Sequence, residues 1–434
     1  MNVHISLGGL RPARSKLVAA LFVLSLFTAV SVLLLANATH SFAADAAFTR
    51  WLASLWPQAQ AMGVSRATFE AATRGVEPDF SLPDLAISSR PEAPQPGQPE
   101  FVRTPADYLK EATISRLAAK GAKLREQYRA VLDRIEQRFS VPGAVVLAIW
   151  GRESDFSMHS SGQSAIQVLA TQAYVGNRKD MFRQELLLAL KMLEDGVRPT
   201  DLRSSWGGAM GLTQFLPSEF YKYGVDLDGD GRPDIWHSVP DALASAAKQL
   251  ADKGWQPGQH WAYEVRAPES FDCTQGVPEV MRPIGDWLKA GFVPAYGRRL
   301  RPDELSQTAS VLQPEGVYGP AFLTTKNYFV IKDYNFSDLY ALFVGHVSDR
   351  IGDARPFETP WSKGAQMHTA DVEAMQKDLT ARGLYEDKID GKAGMKTRAA
   401  LGAYQKANGL KLDCWPTSAV LAHMRAHPTA AAVR

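Results

Sequence analysis

The stretch Val145-Val146-Leu147-Ala148-Ile149-Trp150-Gly151-Arg152-Glu153-Ser154 decides the reading of this chain. Its first six residues are apolar all round, with no face left for water, and this marks a buried helix. Val141-Pro142-Gly143 breaks the chain just before it. A single carboxyl group, Glu153, is thereby set at the end of an apolar rod. Two effects are expected to raise its pKa. Burial disfavours the anion, and the C-terminal end of a helix carries negative partial charge. A carboxylic acid that stays protonated near neutral pH is the group that a leaving oxygen needs.

Further along, Ser205-Trp206-Gly207-Gly208-Ala209-Met210-Gly211-Leu212-Thr213-Gln214-Phe215-Leu216-Pro217-Ser218 forms a tight small-residue turn that carries a hydroxyl and an amide between aromatics. Small residues let a ligand, or a neighbouring helix, come close to the backbone. An acid beside such a polar and aromatic surface suggests cleavage of a glycosidic bond. Glycosidases ordinarily pair two carboxylates. Asp155 is a poor second, since it points elsewhere if the helix continues, and no other acid is obviously paired with Glu153. One acid suffices where the N-acetyl group of the substrate stabilises the cationic centre. A third segment, Tyr334-Asn335-Phe336-Ser337-Asp338-Leu339-Tyr340, holds tyrosines that can stack on a sugar face and donate a hydrogen bond. Taken alone, it reads better as two core tyrosines.

Together these segments closely resemble the lytic murein transglycosylase B family, which has a lysozyme-like fold and cleaves bacterial peptidoglycan. The resemblance runs from Phe48 to about His427. It implies that Glu153 protonates the oxygen between N-acetylmuramic acid and N-acetylglucosamine. The same residue would then take the proton of the muramic C6 hydroxyl, which attacks C1 and closes a 1,6-anhydro ring. The resemblance further implies that Ser205 hydrogen-bonds the N-acetyl group or holds Glu153, and that Gln214 positions the sugar. Tyr334, Asn335 and Tyr340 belong to a second cleft segment, in which Asn335 and Tyr340 face the acid. Tyr174, in Leu169-Ala170-Thr171-Gln172-Ala173-Tyr174, is a further cleft candidate. No cofactor is expected for catalysis. Two other readings stand beside this one: a lysozyme-like hydrolase of the same bond, and a non-catalytic wall-binding protein. A mere binder has no need of Glu153.

The 434 residues have room for two or three domains, and the composition is that of an ordinary globular chain. The formal net charge is +2. Three basic residues, Arg11, Arg14 and Lys16, lie in a segment without acids, so the remainder is nearly neutral. This excludes the strong basic excess usual in a nucleic-acid binder. Leu17 to Ala36 carries no charge, and Ser41-Phe42-Ala43 offers a small-x-small cleavage signal. Residues 1–43 therefore read as a signal peptide that leaves no stable membrane anchor, and the expected location is the periplasm. The alternative is an uncleaved anchor, because the apolar run could just span a bilayer. The two cysteines, Cys273 and Cys414, exclude a disulfide scaffold. They could pair after export, but they fall in different expected domains, so two separately buried thiols are expected.

The rest of the chain reads as mainly helical with a small β element. Residues 44–352 form the expected catalytic domain. Helices are expected from Phe48 to Leu85, from Pro105 to about Ser140, over Gln184 to Glu194, and over Ala242 to Lys253 with Asp241 as N-cap. Possible strands lie at Glu264-Val265 and Phe329-Val330-Ile331. A Pro-rich stretch runs from Pro91 through Pro99, and Asp353 to His368 reads as a linker. Residues 369–430 resemble the small three-helix peptidoglycan-binding domain of many wall enzymes. The matching residues include Leu379, Gly383, Ile389-Asp390-Gly391, Thr397 as a helix cap, Leu401, Tyr404 and Gly409-Leu410. Peptidoglycan is thus the expected partner, with other cell-wall enzymes as candidates. The tail is expected only to localise the catalytic cleft on its polymer.

Asp226-Leu227-Asp228-Gly229-Asp230-Gly231-Arg232-Pro233-Asp234 matches the start of a calcium-binding EF-hand loop. Acids stand at positions 1, 3, 5 and 9, Gly231 at the sharp turn, and the Arg232 carbonyl at position 7. Hard oxygen donors at this spacing suit Ca²⁺ in a structural role. Position 12 is His237 and not Glu, so Asp241 is the expected closing ligand.

Overall fold

The computed structural model describes residues 46–86, 103–158, 162–362 and 367–428. The expected signal peptide and the Pro-rich stretch lie outside the described residues. The chain divides into two compact units. One comprises residues up to Ala86 together with Ile166–Pro199, and the other comprises Ile87–Ala165 together with Thr200 onward.

The first unit is helical. Ser65 caps the helix Arg66–Thr73 by accepting from the Thr68 N–H, and the Ser65 N–H donates to Glu194 at 2.9 Å. Glu194 closes the helix Lys179–Glu194, which starts earlier than the sequence suggested. Tyr174 packs edge-on against Phe48 at 5.3 Å and beside Trp51 at 5.1 Å. Within this unit it is a half-buried member of an aromatic cluster.

The longer helices of the second unit before its C-terminal part are α1 (Glu111–Gln127), α2 (Arg129–Phe139), α3 (Gly143–Ser154), α4 (Val239–Asp252), α5 (Lys326–Asn335) and α6 (Asp338–Ile351). Ser140, in the left-handed region, ends α2 and turns the chain into α3. Val145 to Gly151 of α3 are all buried, as the unbroken apolar run required. Helix α6 is its counterpart and is buried from Leu339 to Ser348. It packs on both α3 and α1. A Cβ on Gly121 would come within 2.5 Å of the Ile351 side chain, which would have to shift to admit it. The expected strand at Phe329-Val330-Ile331 is instead the middle of α5. Its apolar run is short enough to fit either state, and burial of Tyr328, Val330 and Ile331 selects the helix. Helix α4 starts at Val239 with Ser238 as its cap, not Asp241.

An antiparallel sheet stands between α4 and α5 in sequence. Its strands are β1 (Ala262–Arg266), β2 (Arg282–Pro283), β3 (Val293–Pro294), β4 (Thr308–Leu312) and β5 (Ala321–Thr324), in the order β2-β4-β5-β1-β3. Tyr263, Val265, Val311 and Leu323 of this sheet form a core with Ile284, Trp287 and Phe292.

The end of the chain adds α7 (Thr369–Ala381), α8 (Met395–Ala407) and α9 (Ser418–Ala426). Met375, Leu379, Leu401, Tyr404, Leu421 and Met424 make their common core. Buried Gln376 is the hub. Its amide donates to Asp390, Lys392 and Thr397, and its carbonyl accepts from the Asp390 and Gly391 N–H groups, holding the Asp-Gly turn. Thr397 therefore lies inside α8, and Gly394 takes the cap position.

Two further expectations change. Cys273 and Cys414 form a disulfide, with Cα atoms 6.1 Å apart. The expectation of separate thiols assumed that a boundary in sequence separates the two loops in space. It does not, because α8 packs on the turn that holds Cys273. Gly402 makes room for the bridge, since a Cβ there would come within 2.3 Å of the Cys414 sulfur. The described part of the expected linker, residues 353–362, is packed down. Phe357 lies 5.0 Å from Phe322 and stacks on His346 at 3.8 Å. The N–H groups of Glu358 and Thr359 donate to Glu264, and that of Ser362 to Glu315. Residues 363–366 lie outside the described part.

Candidate active site

Glu153 is the second-last residue of α3, where Asp155 in the left-handed region ends the helix. The carboxylate is partly exposed and opens on a cavity of about 280 Å³. Ser154, Ser157, Gly162, Arg203, Ser205, Gly211, Leu212, Gln214 and Trp236 complete the lining. Among the described residues of this lining, Glu153 is the sole carboxylate. Asp155 pairs at 2.7 Å with Arg116.

Tyr340, fully buried in the first turn of α6, donates its hydroxyl to Glu153 Oε1 at 2.5 Å. Burial and the nearby Glu153 carboxylate both push the Tyr340 hydroxyl far above the ordinary tyrosine range, so it remains a donor. Arg152, on the preceding position of α3, donates from Nε and Nη2 to the Tyr108 hydroxyl at 2.9 and 2.7 Å. Its guanidinium also lies 5.8 Å from the centre of the Tyr340 ring. Burial opposes its charge, but Tyr108 and Glu153 hold its pKa above the usual arginine value.

The glycine-rich turn forms the opposite wall. Ser205 N–H donates to the Ala209 carbonyl, and Met210 and Phe215 exchange two backbone hydrogen bonds. This closes a tight loop that presents Ser205 and Gln214 to the cavity. Gln214 sits at φ 56° and turns its amide back onto the Gly211 carbonyl at 3.0 Å. Gly211 itself has φ 76°, and a Cβ there would meet the Ile235 carbonyl at 2.8 Å. The turn is locked to α3 by the Ser154 hydroxyl, which donates to the Leu212 carbonyl at 2.9 Å.

The remaining candidates divide. Tyr334 commits its hydroxyl to the Thr213 carbonyl at 2.8 Å and stacks on Tyr340, so it braces the wall. Asn335 ends α5, and its Oδ1 is buried with no hydrogen-bond partner among the described residues. Tyr174 belongs to the first unit, as described above. Sequence reading missed Trp236, Arg203, Ser157 and Gly162. Trp236 had a legible signal, since it follows the acidic loop directly. It is buried at the cavity wall, and its indole N–H has no partner among the described residues.

The acidic loop stands behind Trp236. Carboxylate oxygens of Asp226, Asp228 and Asp230 lie within 4.8 Å of one another. Asp226 accepts from the Gly229 and Gly231 N–H groups at 2.6 and 2.9 Å, which curls the loop around a common centre. Gly231 has φ 103°, as the sharp turn demands. Asp234 and Asp241 are not part of this cluster. Asp241, fully buried, accepts from the N–H groups of Leu227, Asp228 and Asp234. Asp234 accepts from the Trp236 and His237 N–H groups at 2.8 and 2.9 Å. Asp241, the expected closing ligand, thus holds the loop backbone together, and Asp234, at position 9, orients Trp236. Three carboxylates and the carbonyl of Arg232 suit a hard divalent cation.

The chain and its fold are matched by known proteins. Residues 47–349 match the transglycosylase SLT domain and residues 368–424 a peptidoglycan binding domain. The chain belongs to the transglycosylase SLT family. It is similar to SltB3 from Pseudomonas aeruginosa, at 36% identity over 87% of this chain and 99% of that one. The TM-score is 0.78 to the crystal structure in complex with NAG-NAM-pentapeptide and 0.76 to that with NAG-anhNAM-pentapeptide. Membrane-bound lytic murein transglycosylase B of Escherichia coli (strain K12) is 29% identical over 243 residues, which are 54% of this chain and 64% of that relative. The chain therefore spans less than two thirds of the length of that curated relative.

Proposed function

We propose that this chain is an exported lytic transglycosylase. It cleaves the β-1,4 bond between N-acetylmuramic acid and N-acetylglucosamine in peptidoglycan and leaves 1,6-anhydromuramic ends. The observation that carries the reading is the lone Glu153 at the cavity, held by the Tyr340 hydroxyl at 2.5 Å, with no second carboxylate in the described lining. One acid supports a substrate-assisted route, in which Glu153 protonates the leaving oxygen and later accepts the C6 hydroxyl proton. Ser205 and Gln214 supply polar contacts to the sugar, and the unpaired Asn335 Oδ1 and Trp236 Nε1 favour a polar partner. Binding of peptidoglycan fragments by SltB3 supports the same substrate class here.

The acidic loop binds Ca²⁺ through Asp226, Asp228, Asp230 and the Arg232 carbonyl, in a structural role. The Cys273–Cys414 disulfide supports export to an oxidising compartment such as the periplasm. The test is mass spectrometry of products from purified sacculi. Anhydro ends are expected. Reducing muramic ends would establish the hydrolase instead, and no cleavage would leave the wall-binding reading.

A further inference from the structure

The C-terminal domain sends one side chain into the structure that holds the catalytic acid. Arg398, on α8, donates from Nη2 to Asp338 Oδ2 at 2.9 Å. Both side chains are nearly buried, at 8% and 9% exposure, so the pair is shielded from the water that weakens surface ion pairs. Asp338 begins α6. Its other oxygen accepts from the Tyr328 hydroxyl at 2.8 Å and from Lys332 Nζ at 2.7 Å, both on α5. Burial opposes its charge, but Lys332 and Arg398 hold the carboxyl well below the usual range. Two residues further along, in the same helical turn, stands Tyr340, whose hydroxyl meets Glu153.

We propose that Arg398 is a positioning residue for the catalytic acid, acting through Asp338 and the first turn of α6 on Tyr340. The C-terminal domain is then part of the catalytic assembly and not only a tether. The inference rests on Glu153 being the acid.

The docking of α8 is over-determined, as such a role requires. The disulfide fixes the Cys414 loop to Cys273. Lys406 pairs with Asp272 at 2.6 Å. Asp413 accepts from the Tyr318 hydroxyl at 2.7 Å, and its carbonyl accepts from the Val317 N–H. Arg398 is itself held by the Ala393 carbonyl. Without Arg398, one oxygen of a buried carboxylate loses its partner, and the first turn of α6 shifts to recover one. A displacement on the order of 1 Å at a catalytic hydrogen bond is enough to cost rate. This reverses the expectation that the tail only localises the enzyme.

The test uses the full chain with its disulfide intact and a soluble muropeptide substrate. Arg398→Met is expected to lower kcat at least about tenfold, with KM within about twofold and binding to sacculi unchanged. Its kcat–pH profile should move to that of Tyr340→Phe, which a purely structural role would not produce. Arg398→Lys should recover part of kcat. A folded Arg398→Met with wild-type kcat and pH profile overturns the proposal. Should Arg398→Met not fold, Arg398→Lys decides: reduced kcat at unchanged Tm supports it, and wild-type kcat overturns it. Glu153→Gln runs alongside. Turnover in that variant would sink the assignment of the acid itself, whereas an inactive Glu153→Gln beside a fully active Arg398→Met sinks the positioning role alone.

Discussion

Tyr340 shows how a single side chain acquires a role that its own position does not announce. It is fully buried, as a core tyrosine would be, yet its hydroxyl ends on the only acid of the cavity lining among the described residues. In the proposed function, Glu153 is the acid. Glu153→Gln keeps the shape and can still accept the Tyr340 hydroxyl, but has no proton to give. It is expected to lose at least about 10² in turnover with an unchanged Tm, the typical worth of acid–base catalysis. Activity within about tenfold of wild type would reject the assignment. His346 gives a second residue-scale expectation. It is 2% exposed and stacked on Phe357, and burial lowers its pKa from 6.5 to about 4. The unfolded chain therefore takes up a proton in this range that the folded chain refuses. Stability is fully present above pH 6.5 and is lost as pH falls toward 4, by up to about 3 kcal/mol. Urea unfolding at several pH values should show a shallower acid-side loss in His346→Phe. An unchanged slope would mean that His346 is not the titrating group.

At the scale of elements, the acidic loop and the cavity wall form one mechanical piece. The Ile235 carbonyl accepts from the Leu212 N–H at 2.9 Å, and Asp234 holds the Trp236 N–H. A cation at Asp226, Asp228 and Asp230 would tighten a loop whose far end is cavity wall. Ca²⁺ at a hundredfold excess over its Kd should stabilise the fold by about 2.7 kcal/mol, visible as a raised Tm. Asp226→Ala should abolish that increment, while the bond cleaved stays the same. Coincident melting curves in Ca²⁺ and in chelator would rule out the site. The acidic spacing was legible in the sequence because Asp226, Asp228 and Asp230 lie within one short loop. The duties of Asp234 and Asp241 were not, because their partners are backbone N–H groups, which carry no residue signature.

For the second unit as a whole, the disulfide and the ion pairs of α8 bind what the sequence presented as a detachable tail. Cys273 and Cys414 are 141 residues apart, so the bridge closes a long loop of the unfolded chain. Cys414→Ser is expected to cost roughly 2–5 kcal/mol in chemical denaturation. Identical denaturation midpoints for the wild type and the variant would show that docking does not depend on the bridge. The packed strap of residues 353–362 belongs to the same scale. Its two prolines and sparse apolar residues read as a linker, while Phe357 and the carboxylates of Glu264 and Glu315 fasten it to the body of the unit.

What the sequence determined by itself was whatever is written in local pattern: the all-apolar helix under Glu153, the small-residue turn, the acidic loop, and the three helices at the end of the chain. Each is set by neighbours within a few turns. Only the tertiary structure decided which of those pieces meet. It brought Tyr340 to Glu153, Cys273 to Cys414 and Arg398 to Asp338, and it made a helix of Phe329-Val330-Ile331. Contacts between residues far apart in the chain depend on how buried helices pack. Packing is chosen by the shape and area of whole surfaces, which no short stretch of sequence contains.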